Sequence, residues 1–455
     1  MTKKPFGQVK SIEEMNTNRN VMMLSFPIFI ELILQLLVGN IDQIMVSRIS
    51  QSSVAAIVNA NQIISLIILI LSMISAAVMV VLSRYLGAND KKGVVELCST
   101  SFFIIIVSSI VTTIMIIVFK NYLFAFMNVP DDIRKETSLY LTIVTLSSVV
   151  QGLYFVYSAI LRAFTFMKEV MNVSIVMNVL NIIGNAILIN GLFGLPQMGV
   201  VGAAISTVIS KILGVFLIRY YCKKRVNMEV KISSTNPVVW IHLKKILQIA
   251  IPSGTESLSY QVSQLCILSI INRFGTVVIA TKGYCSIFAN ISYLYVIALG
   301  EATQIVLGYL IGGKKFDLLK KRVTSTTWLS IIVAVTVSTF LFLGSDYIFL
   351  IFTNDPEVIS LGKKILLIEI GLEIGRAINI IMTRSLVAVG DVITPTVVGI
   401  IFQWLVALVG AYFFGVYLNM GLVGVWIAMA LDECIRGFIF MIHFYKERWK
   451  KYWKQ

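Results

Sequence analysis

The feature that most constrains this chain is a series of long apolar runs with no charge in them. Residues 54–83, 97–119 and 137–161 contain no Asp, Glu, Lys or Arg, and 170–210 and 392–431 are charge-free over about forty residues each. A helix crossing the hydrocarbon core of a bilayer needs about 20 mostly apolar residues. The bilayer admits only helices and closed barrels, because it offers the backbone no water to bond with. Continuous runs of this length lack the short alternating segments of a barrel. The two longest stretches divide at the Gly194-Leu-Pro196 turn and near Asn419. With further spans at 24–46, 249–271, 277–311, 323–343 and 364–389, the count is twelve. Composition agrees: 57% of residues are hydrophobic and 13% charged, against about 45–50% and about 25% in soluble domains. This excludes a cytosolic enzyme. The net charge of +15 punctuates apolar runs rather than covering a polar surface, so no nucleic-acid partner is expected. The five Cys are scattered without motif spacing, and no cleavable signal is expected because the first apolar run continues too far.

The Lys/Arg bias orients the chain. Of the 38 basic residues, 27 fall in the two termini and the loops that share their side, which predicts cytoplasmic termini and a multi-pass protein of the cell membrane. The Lys/Ile-rich composition points to a bacterial origin.

The two halves repeat each other. A shift of 225 residues carries Pro27 onto Pro252, Glu31 onto Glu256, Arg48 onto Arg273 and Gly87 onto Gly312. A shift of 222 carries Met198-Gly-Val-Val-Gly202 onto Met420-Gly-Leu-Val-Gly424 and Arg162 onto Arg384. The predicted fold is therefore an all-α membrane protein, twelve transmembrane helices in two parallel-repeat six-helix bundles, with lobes at 1–225 and 226–455. Parallel repeats are common among transporters, with the substrate site near the bilayer midplane between the halves.

Ionisable groups inside spans mark function by default, since each is costly unless paired or hydrated. The first helix carries Glu31, Gln35 and Asp42 on one stripe. Pro27 lies one turn before Glu31 and removes a backbone donor, making a hinge. Asp42 either takes up a proton or a cation, or else caps the helix end or pairs with Arg48. The fifth helix presents Ser174, Asn178, Asn181 and Asn185 on one face, as interhelical glue or as neutral ligands to a cation balanced by Asp42. In the second half Asp42 maps to Ile267, leaving Glu256 as the shared carboxylate with Tyr260, Ser263 and Gln264 below it. Glu301 is a cavity candidate. Glu373 and Arg376 are expected to form an internal ion pair, and Asp432, Glu433 and Arg436 a structural cluster late in the last helix. Tyr154, Tyr157 and Tyr260 either line a cavity for flat cations or pack generically. No phosphate-binding loop and no metal-ligand spacing is present, so an enzyme or ATP-driven pump is not expected, nor any cofactor.

Several segments resemble the multidrug and toxic compound extrusion family of the multidrug/oligosaccharidyl-lipid/polysaccharide exporter superfamily. They are Asn40-Ile-Asp-Gln-Ile-Met-Val-Ser47, Leu161-Arg-Ala-Phe-Thr-Phe166, the run Leu180-Asn-Ile-Ile-Gly-Asn185 to Gly194, Gly199-Val-Val-Gly-Ala-Ala-Ile-Ser-Thr207, and Val387-Ala-Val-Gly-Asp391. The resemblance implies cation-coupled antiport of organic cations and amphipathic compounds by alternating access. The expected partners are such small molecules and the lipid bilayer, and a monomer is expected. It also implies a cation or proton site joining Asp42 to Asn181 and Thr207. The family's fifth-helix Asp is Asn185 here, which removes a negative charge and favours H+ over Na+ at Asp42. A lipid-linked oligosaccharide or precursor flippase of the same superfamily is the alternative.

Overall fold

The computed structural model describes residues 12–47, 50–194, 196–226 and 237–453. After a turn of helix at Ile12–Met15 come the long helices α1 (Asn18–Ser47), α2 (Gln51–Gly87) and α3 (Lys91–Phe126). Next are α4a (Asp131–Leu146) and α4b (Ser148–Ala163), which form one span bent by 44°. Then follow α5 (Met167–Asn190) and α6 (Gly199–Val226). The second half holds α7 (Pro237–Ile271), α8 (Thr276–Gly312), α9 (Asp317–Leu343), α10 (Pro356–Ala388), α11 (Ile393–Tyr417) and α12 (Gly421–Tyr445). The described residues contain no strand. The chain is an all-α membrane protein with twelve spans. Eight of these helices qualify on length and apolarity alone, and the bent α4 is a ninth. The remaining three, α7, α10 and α12, fall short because they carry the second half's polar groups, several of them buried.

Local chemistry sets the helix ends. Ser50 and Asp90 accept the backbone N–H of Ser53 and Gly93 at the starts of α2 and α3, the usual N-cap contact. Asp355 does the same for Glu357, with Pro356 at the first helical position.

Of the described residues, those between 30 and 250 form one compact unit, and 12–29 with 251–453 the other. Within each, the same helix pairs touch: α2 with α3 and α4, α3 with α4, α4 with α6, and α5 with α6 in the first; α8 with α9 and α10, α9 with α10, α10 with α12, and α11 with α12 in the second. The first core gathers Ala56, Ile57 and Ala60 of α2, Tyr140, Leu141 and Val144 of α4a, and Ala203 and Ala204 of α6. The second gathers Ile267, Cys285, Phe288, Leu372, Ala411 and Trp426.

The repeated Met-Gly-x-Val-Gly segment has a physical reason. Gly199 and Gly421 start α6 and α12 at φ values of 53° and 57°, a left-handed conformation that glycine adopts without penalty. A Cβ at Gly202 would lie 2.7 Å from the Leu188 carbonyl oxygen, and one at Gly424 2.6 Å from that of Phe414. Each sixth helix thus crosses its fifth backbone to backbone, the close approach that small residues permit in membranes. The halves differ in α11, which has π-helical segments at Gln403–Leu408 and Phe413–Tyr417.

Candidate functional site

In the first unit the fifth-helix stripe holds its register. Ser174, Asn181 and Asn185 are buried and Asn178 is half-buried, all on one face of α5. Asn181 Nδ2 donates to Thr207 Oγ1 at 3.2 Å, and Ser206 Oγ donates to the Asn181 carbonyl at 2.9 Å. The Asn181 side-chain oxygen is buried with no hydrogen-bond partner among the described residues. An unfilled buried acceptor costs free energy, so this oxygen marks a place where a proton donor or cation would be stabilised.

Glu31 is 2% exposed and receives Arg162 Nη2 at 2.7 Å. This ion pair ties α1 to the last residues of α4b, and Tyr154, itself buried, lies within electrostatic reach of both partners. The pairing of Arg162 with Glu31 was not legible from spacing, since the partners are 131 positions apart. Gln35, one turn on, is exposed. Asp42 lies on α1 in a stretch whose side chains are outside the described residues, and Arg48 lies outside the described residues altogether.

In the second unit Glu256 is half-buried and accepts Gln403 Nε2 at 2.8 Å. Gln403 stands 222 positions after Asn181, the shift that aligns this part of the halves, so the repeat has put an amide on the corresponding helix twice. In the π-helical turn Ser263 Oγ donates to the Gln403 carbonyl at 2.9 Å. Gln403 Oε1 is buried without a partner among the described residues. The position equivalent to Asp42, Ile267, is packed in the apolar core. Tyr260 is 37% exposed. Glu301 is half-buried and lies 3.8 Å from Arg384.

The α10 ion pair is larger than the two residues expected. Arg376 Nη1 donates to Glu369 at 2.9 Å and also to Glu373, and its guanidinium lies over the Tyr293 ring. Trp426 Nε1 donates to the other Glu369 oxygen at 2.6 Å. Asp432, Glu433 and Arg436 do cluster, but at the middle of α12 rather than late in it, and Asn379 joins them by donating to Glu433 at 2.6 Å. The start of α12 falls where the turn at Asn419 put it, but the helix runs on to Tyr445, well past the charge-free stretch that ends at 431, and this leaves the cluster at its middle. Sequence spacing gave no signal for Arg162, Gln403, Trp426 or Asn379 as partners, because each contact joins different helices.

The two halves are alike in a second, independent way. The family model described as MatE matches this chain twice, at residues 27–187 and 252–413. The chain belongs to the MatE family. These are the multidrug and toxic compound extrusion transporters, so this is a multi-pass transporter. An uncharacterized transporter of Bacillus subtilis, YisQ, is 34% identical over 420 residues, covering 92% of each chain. A probable multidrug resistance protein NorM of Thermotoga maritima is 27% identical over 436 residues, 95% of this chain and 93% of that one. A solved structure described as MATE in the bent conformation matches with a TM-score of 0.89 at 20% identity, covering 98% of this chain and 99% of that one. A transporter of the MOP superfamily from Pyrococcus furiosus, described as having a binding pocket of reverse polarity, matches with a TM-score of 0.87 at 20% identity over the same shares. The MatE fold therefore extends over the whole described chain, and both family matches begin at the first-helix prolines, Pro27 and Pro252.

Proposed function

We propose that this MatE protein exports organic cations and other amphipathic compounds by alternating access, driven by an inward flow of protons through Asp42, with its termini in the cytoplasm. The observation that carries the reading is the buried, unfilled Asn181 oxygen beside Thr207, in the same unit as the part of α1 that contains Asp42. An acidic α1 and an unfilled neutral acceptor on α5 are the donor set for one small cation. The α5 position after Asn181 on the stripe is Asn185, a neutral residue, so a single carboxylate has little charge with which to dehydrate sodium and protonation is favoured. In the cycle Asp42 takes a proton from outside, its charge is lost, α1 bends near Pro27, and the substrate leaves. The names of the NorM relatives support a multidrug substrate range.

The flippase reading requires cationic groups free to hold a pyrophosphate. Arg162, Arg376, Arg384 and Arg436 each lie within ion-pair distance of a carboxylate, which disfavours it. Purified protein in proteoliposomes separates the possibilities. A pH jump should drive efflux of ethidium, a sodium jump should not, and Asp42→Asn should abolish the pH-driven flux while the protein remains folded. Full activity in that variant would falsify the assignment. Sodium-driven efflux with no response to pH would move the coupling to sodium.

A further inference from the structure

Helix α1 belongs to both units. Residues up to Phe29 group with the second unit and residues from Ile30 with the first, so the changeover comes two residues after Pro27. On the earlier side, Ser25 Oγ donates to the Tyr295 hydroxyl at 3.3 Å and the Phe29 ring meets that of Tyr295 edge-on at 5.2 Å. Asn18 accepts from Arg322. On the later side the first polar tie is Glu31 to Arg162. Proline removes a rung of the helical ladder and makes bending there cheap. The resistance of α1 to bending is then set by what holds each side.

The repeat shows that this tie is not a by-product of the fold. Pro252, Glu256 and Arg384 occupy the equivalent positions in the second half, yet the equivalent pair is not made: Glu256 takes Gln403, and Arg384 lies beside Glu301. The same three residue types are present twice and wired together once.

We propose that Arg162 is a positioning residue for export. By pairing with Glu31 it holds the stretch of α1 just beyond Pro27 against the end of α4b, and the pair opens when α1 bends. The inference rests on the reading above that α1 bends during the cycle. Opening the pair separates two charges in a largely buried setting, which is costly for either one alone, so the latch keeps α1 from bending until the ion-binding step compensates.

The test uses the full chain in proteoliposomes, freed of its native cysteines and spin-labelled at Leu37 on α1 and Leu146 at the end of α4a, both exposed. In the unsubstituted chain the label distance should shift when the pH gradient is imposed. Arg162→Gln should show the shifted distance without a gradient, and pH-driven ethidium efflux should fall about tenfold, within the usual range of conformational coupling. The swapped pair Glu31→Arg with Arg162→Glu should restore both. The neutral pair Glu31→Gln with Arg162→Gln buries no lone charge, so it should fold and still show the shifted distance without a gradient. If Arg162→Gln and the neutral pair keep the unsubstituted distance and its gradient response, the latch is overturned while the bending reading stands. If the unsubstituted chain exports dye without any distance change, the bending reading fails and takes the latch with it.

Discussion

A carboxylate inside a membrane-spanning helix needs a partner, and each half of this chain answers that need differently. Glu31 has a guanidinium and Glu256 an amide. Helical spacing made Glu31, Asn178, Asn181, Asn185 and Glu256 legible as interior polar groups, because a 3.6-residue period is a local property of sequence. Their partners were not legible, since Arg162 and Gln403 lie more than a hundred positions away along the chain. At this scale Gln403→Leu should leave the Glu256 carboxylate without its amide donor. Removing one partner of a buried hydrogen bond costs about 1–3 kcal/mol, which should appear as a lower melting temperature in detergent. An unchanged melting temperature would show that the Gln403 contact contributes nothing to stability.

Among the elements, the close crossings of α6 over α5 and α12 over α11 rest on Gly202 and Gly424. The repeated motif was visible in the sequence, but its reason was a backbone contact that no periodicity reveals. Gly202→Ala and Gly424→Ala place a methyl against a main-chain carbonyl that cannot rotate away. Each should lose about 1–3 kcal/mol, as overpacking generally does, measured as earlier aggregation on heating in fluorescence-detected gel filtration; Ala at a glycine that meets open space, such as Gly283, is the control. The C-terminal turn Arg448–Trp453 is a second element tied by tertiary contacts. Trp449 is buried against Phe316 and Phe444, Tyr452 donates to Asp391, and Glu447 pairs with Lys320 at 2.9 Å and with Lys450. Hydrogen bonds from Lys450 and Lys320 hold the Glu447 carboxyl below its ordinary value. A depressed carboxyl contributes stability above its unfolded pKa of about 4.3 and loses it as pH falls through the lower folded value. The protection of Trp449 against hydrogen exchange, taken relative to its intrinsic rate at each pH, should therefore be flat from about pH 8 to about pH 5 and fall only below about pH 4. A loss of protection near neutrality would assign the tie to a group other than Glu447.

For the whole molecule, the duplication read from the sequence recurs as two sets of matching helix contacts and two family matches. What the repeat did not disclose is that the opening helix of each half is shared. The early part of α1 groups with the second unit through Asn16 and Asn18 on Arg322, and the early part of α7 with the first, where His242 lies 3.2 Å from Glu96 and Lys245 donates to Tyr85 at 2.7 Å. A chain cut between residues 230 and 231 consequently leaves each fragment without polar ties its unit requires. Expressed alone, each fragment should be degraded or aggregate; expressed together, they should co-purify and retain measurable dye efflux. A first fragment that is stable and monodisperse on its own would contradict this.

The sequence by itself determined that the chain is helical, crosses the bilayer twelve times and is built as a repeat, because charge-free length and periodicity are local quantities that the membrane reads directly. Only the tertiary structure decided which buried charge meets which, and where along α1 and α7 one unit gives way to the other. Those outcomes depend on energies of contact between segments far apart in the chain, and two halves with matching residues resolved them in two different ways.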